Sequence, residues 1–342
     1  MRVAMYYNNR DVRLEEMPVP EVGPGELLVR IWASGICGSD LMEWYRVRKA
    51  PLVLGHEVAG EVARVGEGID SYRPGDRLVV SHHVPCNQCR YCLSGHHSVC
   101  DTLRQTHFDP GGFAEYVRVP KINVDLGTYL LPKEVSYEEG SFIEPLGCVV
   151  RAQRWARLQP GQTVLVIGSG ISGLLHVQLA RVNGAALVVA TDINSFRLRA
   201  AEELGAHIAL TSDANLISQL KHVNEGRLAD LVIVCTGAMP AVKQALQTVE
   251  RGGTVLFFAP TASGTDVPIP LFEYWRNEIT VTTSYAASPI DMKQALEFIH
   301  ARQVRVREMV THRLRLAEAG RGFQLMENGR ESIKVILEPQ RV

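Results

Sequence analysis

Two rhythms of apolar and polar residues divide the chain. Up to about residue 120 the apolar residues come in short stretches, "ELLVRIWASGIC", "EVAGEVARVGEGI", "PGDRLVVS" and "GGFAEYVRVP", separated at close intervals by glycine and proline. Short strands with frequent turn signals predict a compact, partly barrel-like β domain. After about residue 145 the pattern changes. "TVLVIGSGISG" is an apolar strand running into a glycine turn, and "LLHVQLARVNG" then has helical spacing and stops at a glycine. "AALVVATD", "HIALTS", "ADLVIVCTG", "GGTVLFFAP" and "EITVTTSYA" repeat the strand, with helical segments such as "RLRAAEELGA" between them. Apolar strands alternating with helices predict an α/β, doubly wound parallel sheet. A helix, "PIDMKQALEFIHARQ", and a lone strand, "ESIKVILEP", close the chain, and the lone strand is expected to return to the first domain. The expected divisions are 1–145, 146–286 and 287–342.

Composition narrows the class of protein. The chain has 342 residues, 46% of them hydrophobic and 21% charged, with a formal net charge of −1. That suits a globular protein of about two domains and gives no electrostatic reason to expect nucleic acid or an anionic membrane as partner. No apolar run approaches the roughly 18 residues of a membrane span, and "MRVAMYYNNRDVRLEEMPVP" lacks the apolar core of a secretory signal. The expectation is a cytoplasmic protein, where thiols stay reduced. Its seven cysteines then point to metal rather than to disulfides.

Three constellations carry chemistry. Gly168, Gly170, Ile171, Ser172 and Gly173 fall in a G-x-G-x-x-G turn between strand and helix, and Asp192 ends the next strand. That context is what a dinucleotide fingerprint requires: glycines let backbone N–H groups approach a pyrophosphate, and the acid accepts from ribose hydroxyls. Asp192 would repel a 2′-phosphate, which favours NAD over NADP. Arg197 is placed either to stack on the adenine or to lie on an exposed helix face. Cys86, Cys89, Cys92 and Cys100, spaced C-x2-C-x2-C-x7-C, suit a closed, structural Zn(Cys)4 site, with an iron–sulfur cluster as the competing metal; His96 and His97 lie inside the loop. Cys37, Ser39, Asp40, His56, Glu57 and the distant Glu144 offer mixed sulfur, nitrogen and oxygen ligands of a catalytic zinc. His56 and Glu57 are adjacent, so in a regular strand they face opposite ways. Both reach one metal only if the strand bends or ends there. Cys148 and Cys235 have no zinc-site spacing and read as buried small hydrophobes.

Taken together, "GICGSD", "GHEVAGEVARVG", the cysteine loop, "GGFAEYV", "EPL" and "VIGSGISG" resemble the zinc-dependent medium-chain dehydrogenase/reductase family, in order and over essentially the whole chain. The sorbitol (L-iditol) and threonine dehydrogenase branch is the most similar, since "IEPL" has glutamate where animal alcohol dehydrogenases have a ligand cysteine. The resemblance implies a GroES-like catalytic domain around a Rossmann domain, two Zn2+ per chain, NAD, a small-molecule alcohol substrate and a homo-dimer or homo-tetramer. It implies oxidation of a secondary alcohol, a polyol or sugar derivative, with threonine-type amino-alcohol oxidation as the alternative and a non-catalytic nucleotide-binding relative as the rival of another class. Cys37 and His56 would be zinc ligands, with Glu57 or Glu144 and a water completing the ion. Ser39 would accept the substrate's proton, Asp40 would fix a ligand histidine, and Lys334 would lie near the cofactor phosphates. Where the pattern often ends its proton relay in histidine, this chain has Met42, and a thioether moves no proton; water, Tyr45 or Glu43 takes over, or the relay ends at Ser39. Arg46, Arg48 and Lys49 form a basic stretch that is either solvated or meets an anionic substrate group. Trp44, Phe108 and Trp275 are candidate pocket walls.

Overall fold

The computed structural model describes residues 1–341. The chain forms two compact units. One consists of Met1–Gly147, Ala286–Arg302 and the C-terminal stretch from Val306; the other consists of Cys148–Tyr285 with Gln303–Arg305. The change of unit near residue 147 falls inside the helix Ile143–Trp155.

The first unit is built on a seven-stranded sheet. Its backbone is the long strand Leu27–Gly35, antiparallel to Glu57–Val65, to Tyr116–Val119 and, at its far end, to Lys334–Glu338. Arg77–Ser81 and Thr128–Leu130 extend one edge, and Val310–Arg315 the other. Period-two alternation puts Leu27, Val29 and Ile31 in one core with Val58, Val62, Leu78, Val80, Val117 and Val119. A smaller three-stranded sheet, Arg2–Asn8, Asp11–Glu16 and Leu52–Val53, packs a second core around Tyr6, Phe113 and Phe323. The sequence pattern did not indicate its first hairpin, whose outer strand has four polar or charged residues among six.

The second unit is a six-stranded parallel sheet in the order Ile208–Thr211, Leu187–Asp192, Thr163–Ile167, Ala229–Val234, Val249–Phe257, Thr280–Thr283. Numbered along the chain this is 3-2-1-4-5-6, the dinucleotide-binding order, with its switch point beside the first strand. All five residues of Thr163–Ile167 are buried, as expected of a parallel strand covered on both faces. The helix Ile171–Val182 follows that strand directly, so the glycine turn sits where the strand order reverses.

Candidate active site

The mixed-ligand group forms where two turns of the first unit meet. Cys37 caps a short 3₁₀ turn, Gly38–Leu41, and its Sγ accepts from the N–H and the hydroxyl of Ser39, each at 3.4 Å. Asp40, fully buried, accepts from the Cys37 N–H at 3.0 Å and lies 3.5 Å from His56 Nδ1. Gly55, at φ +92°, turns the chain out of Leu52–Val53, and the next strand starts only at Glu57. The alternation of faces therefore does not yet apply to His56 and Glu57. Both reach the same place: ligand atoms of Cys37, His56 and Glu57 lie within 4.8 Å of one another. Thiolate, imidazole and carboxylate in one group are the donor set of zinc. Burial opposes a charged His56, yet Asp40 and Cys37 beside it hold its pKa well above the ordinary histidine range. Asp40 is held below the usual carboxylate range: burial raises it, and His56 and Arg46 more than offset that.

Two further residues singled out from sequence, Glu144 for the metal and Lys334 for the cofactor phosphates, lie differently. Glu144 stands in the first turn of Ile143–Trp155 and is not one of the three grouped residues. Lys334 is fully buried, donates to Ile36 O at 3.2 Å and is ion-paired with Glu57, which is itself 1% exposed. Glu57 is thus shared between the metal-ligand group and a buried ammonium. Sequence reasoning missed that partnership.

It also missed a row of histidines. The His56 ring lies 4.8 Å from His82, His82 lies 3.8 Å from His83, and His83 lies 5.4 Å from His107. The pair "HH" at the end of Arg77–Ser81 was the available signal. Burial keeps His82 well below the ordinary range and lowers His83 to about 4, so both rings are neutral at physiological pH. From sequence Arg46 belongs to a basic stretch that is either solvated or meets an anionic substrate group, and its contact with Ser39 was not foreseen. In the structure its Nε donates to Ser39 O at 3.1 Å and its Nη2 to Ser39 Oγ at 3.2 Å.

The four-cysteine loop closes on itself. All four sulfurs lie within 4.8 Å of one another, with Cys89–Cys92 and Cys86–Cys100 both at 3.6 Å. Tetrahedral zinc, with Zn–S near 2.3 Å, sets ligand sulfurs about 3.8 Å apart. A four-iron cube binds each sulfur at a separate corner and spreads them farther, so the spacing fits zinc. The thiols hold their protons unequally. Burial raises Cys92 to about 12, whereas backbone N–H groups from Cys86 and Leu103 bring Cys100 down to about 6 against the effect of burial. Metal binding displaces the remaining protons.

In the second unit, a side chain at Gly173 would collide with the Gly168 carbonyl, so helix and strand pack this closely only with glycine there. Gly170 is different. A Cβ there would meet nothing nearer than Arg197 Nη1 at 3.9 Å, which leaves backbone open beside the N-terminus of Ile171–Val182. Ser172 sits in that first turn. Asp192 accepts from Ser169 N at 2.8 Å and Asn194 N at 2.9 Å, and Arg197 Nη1 lies 3.9 Å from its Oδ2. The Arg197 Nε is buried without a hydrogen-bond partner. An open cradle, an acid fixed at the end of the second strand and an unsatisfied guanidinium fit a dinucleotide.

Comparison with known proteins agrees with this geometry. Residues 23–126 match the alcohol dehydrogenase GroES-like domain and residues 172–301 the zinc-binding dehydrogenase domain. The chain is 31% identical to the sorbitol dehydrogenase of Bacillus subtilis over 352 residues, covering 100% of this chain and 98% of that protein. It is 32% identical to the probable D-xylulose reductase A of Aspergillus clavatus over 340 residues, covering 95% and 93%. Among solved structures, the alcohol dehydrogenase TADH of Thermus sp. ATN1 superimposes with a TM-score of 0.87 at 30% identity, over 99% of each chain. With a dinucleotide turn, a zinc-type ligand group, both domain models matched and a relative aligned over its full length, the chain belongs to the zinc-binding dehydrogenase family, whose catalytic part is the alcohol dehydrogenase GroES-like domain.

Proposed function

We propose that this chain oxidises a secondary alcohol of the polyol or sugar-derivative class, giving a ketone and NADH. The observation that carries the reading is the meeting of Cys37, His56 and Glu57 beside the Ser39 hydroxyl. The names of the relatives, sorbitol dehydrogenase and D-xylulose reductase, support the polyol class. When bound, zinc lowers the pKa of the substrate hydroxyl, by up to about nine units or on the order of 12 kcal/mol if bound water is the guide, and NAD takes the hydride.

The chain's own residues do the rest. Cys37 and His56 would hold the zinc. Glu57 or Glu144 would complete its protein ligands, and Lys334 is the ion-pair partner of Glu57. Asp40, 3.5 Å from His56 Nδ1, would fix the ring and leave its other nitrogen to hold a metal. Ser39 accepts a hydrogen bond from Arg46 and donates to Cys37, which leaves one lone pair of its hydroxyl for the substrate proton. Beyond Ser39, Met42 is a thioether and moves no proton, and the Glu43 carboxylate accepts from Asn9 N; water, Tyr45 or Glu43 takes over, or the relay ends at Ser39. A panel of polyols, amino alcohols and simple alcohols, followed by NADH absorbance on protein containing two zincs per chain, tests the reading. No turnover with any of them would sink it.

Asp192 sets cofactor choice by accepting the ribose hydroxyls and repelling a 2′-phosphate. Asp192→Ala is expected to raise kcat/KM for NADP relative to NAD by about tenfold, equivalent to about 1.4 kcal/mol, because Arg197 is then free to face the phosphate. An unchanged ratio would show that Asp192 has another role.

The reading also includes a cytoplasmic homo-dimer or homo-tetramer. Among the described residues no helix is long and apolar enough to cross a membrane, and seven free cysteines, five of them grouped as ligands, suit a reducing compartment. The strand Thr280–Thr283 is an edge of its sheet, and the helix before it exposes Leu271, Phe272 and Trp275, the last at 74%. An apolar patch beside an unpaired strand edge suits a second copy. Phe272→Asp with Trp275→Asp is expected to yield a monomer by light scattering; an unchanged mass would place the interface elsewhere.

A further inference from the structure

Arg46 is not a solvated loop residue. It sits on the one-turn helix Glu43–Arg46, directly after the turn that presents Ser39 and Asp40. Its Nε and Nη2 reach back to Ser39 O, Ser39 Oγ and Asp40 Oδ1, the last at 3.5 Å, and its side chain is 17% exposed. Nη1 makes no hydrogen bond among the described residues. The guanidinium therefore offers unused N–H groups next to the hydroxyl assigned to the substrate's proton.

A second cation stands beside it. Arg46 and Lys49 both lie 5.1 Å from the centroid of the Tyr45 ring. Lys49 makes no ion pair among the described residues. His107, at the outer end of the histidine row, is depressed by burial and then by the charges of Lys49 and Arg46, which places all three groups together. The acids nearby are engaged. Asp40 is fully buried and taken by Cys37 N, His56 and Arg46, and Glu43 accepts from Asn9 N. Arg46 shares its acid, Asp40, with His56, and Lys49 has no acid of its own among the described residues. A neutral polyol gains little from these cations, whereas a carboxylate or phosphate accepts charge-assisted hydrogen bonds from the unengaged Nη1 of Arg46 and from the Lys49 ammonium.

We propose that Arg46, seconded by Lys49, recognises an anionic group on the substrate, so that the alcohol oxidised is a sugar acid or a phosphorylated polyol rather than a neutral one. This rests on the dehydrogenase reading above and narrows its substrate class.

The test compares D-glucitol, D-glucitol 6-phosphate and D-gluconate on the zinc-loaded protein, by NADH production and by calorimetric binding without turnover. At least one charged compound is expected to exceed the neutral one by tenfold or more in kcat/KM, mainly through KM, and the advantage should shrink as salt is raised. The arm that shows it separates phosphate from carboxylate. Arg46→Gln should reduce the advantage to within about threefold, and Lys49→Gln, at an exposed position, should reduce it in part. Equal use of all three compounds, or an Arg46→Gln effect on kcat of the same size for each, would overturn the proposal and leave Arg46 as a support for Ser39. Charged-compound binding that depends on Arg46, with no turnover of any compound, would sink the dehydrogenase reading and leave this one standing. Loss of fold in Arg46→Gln, seen as a lowered melting temperature, shifts the decision to Lys49→Gln and the salt dependence, and an unchanged preference in both overturns it.

Discussion

Cys37→Ser is expected to lower kcat/KM by about 10³-fold or more while the fold survives. A hydroxyl replaces the soft thiolate of the group, and Lewis acidity at the substrate oxygen is worth several kcal/mol, with each 1.36 kcal/mol a factor of ten. Cys37 is only partly buried and caps a short turn, so the substitution leaves the core in place. Metal analysis should give one zinc per chain instead of two, because the ion at Cys86, Cys89, Cys92 and Cys100 is untouched. Far-ultraviolet circular dichroism should be unchanged. Two zincs with full activity would remove Cys37 from the ligand set. One zinc with full activity would mean that the reaction does not use this metal at all.

Lys334→Met is expected to destabilise the first unit by about 3–5 kcal/mol, the cost of leaving one member of a buried ion pair alone. Lys334 is fully buried and Glu57 is 1% exposed, so no water replaces the lost ammonium. The melting temperature of this unit should drop by roughly 6–20 °C. Glu57→Gln combined with Lys334→Met removes both charges and should recover most of the loss. The single substitution should be worse after zinc is stripped by a chelator, since a metal ion beside Glu57 compensates part of the missing positive charge. If Lys334→Met melts with the parent, with and without chelator, then Glu57 depends on neither partner.

The nucleotide unit was legible from local pattern because its strands are buried on both faces. "TVLVI" and "ADLVIV" read as unbroken apolar runs, and the glycine turn follows the first of them. The four cysteines were legible because all four ligands lie in one short loop, so spacing alone describes the site. The catalytic group was legible only as a set of candidates. Whether His56 and Glu57 share a face depends on Gly55 and on where the strand begins, and a pattern of residue types does not carry a φ angle. The Glu57–Lys334 pair joins residues 277 positions apart. Nothing local in "SIKVIL" marks its lysine as buried rather than facing a cofactor. The histidine row is assembled from three segments, the turn at His56 and the loops "SHHVPC" and "RQTHFDP", whose approach is set by the strand pairing around them. Arg46 belongs with these, since its role comes from a side chain folding back seven residues onto Ser39.

The strand Lys334–Glu338 has a consequence for the order in which the protein is made. A chain leaving the ribosome presents nearly all of the second unit as one continuous segment, Cys148–Tyr285, which can fold as soon as it emerges. The first unit begins earlier but is completed later. One edge of its long strand stays unpaired at Ser34 and Gly35 until Ile336 and Leu337 arrive, and Glu57 lacks its buried ammonium partner until Lys334 does. During synthesis the N-terminal part therefore waits with an open sheet edge, the surface on which nascent chains stick to one another. Translation that stops before residue 334 should release a chain whose nucleotide unit is folded and whose catalytic unit is not.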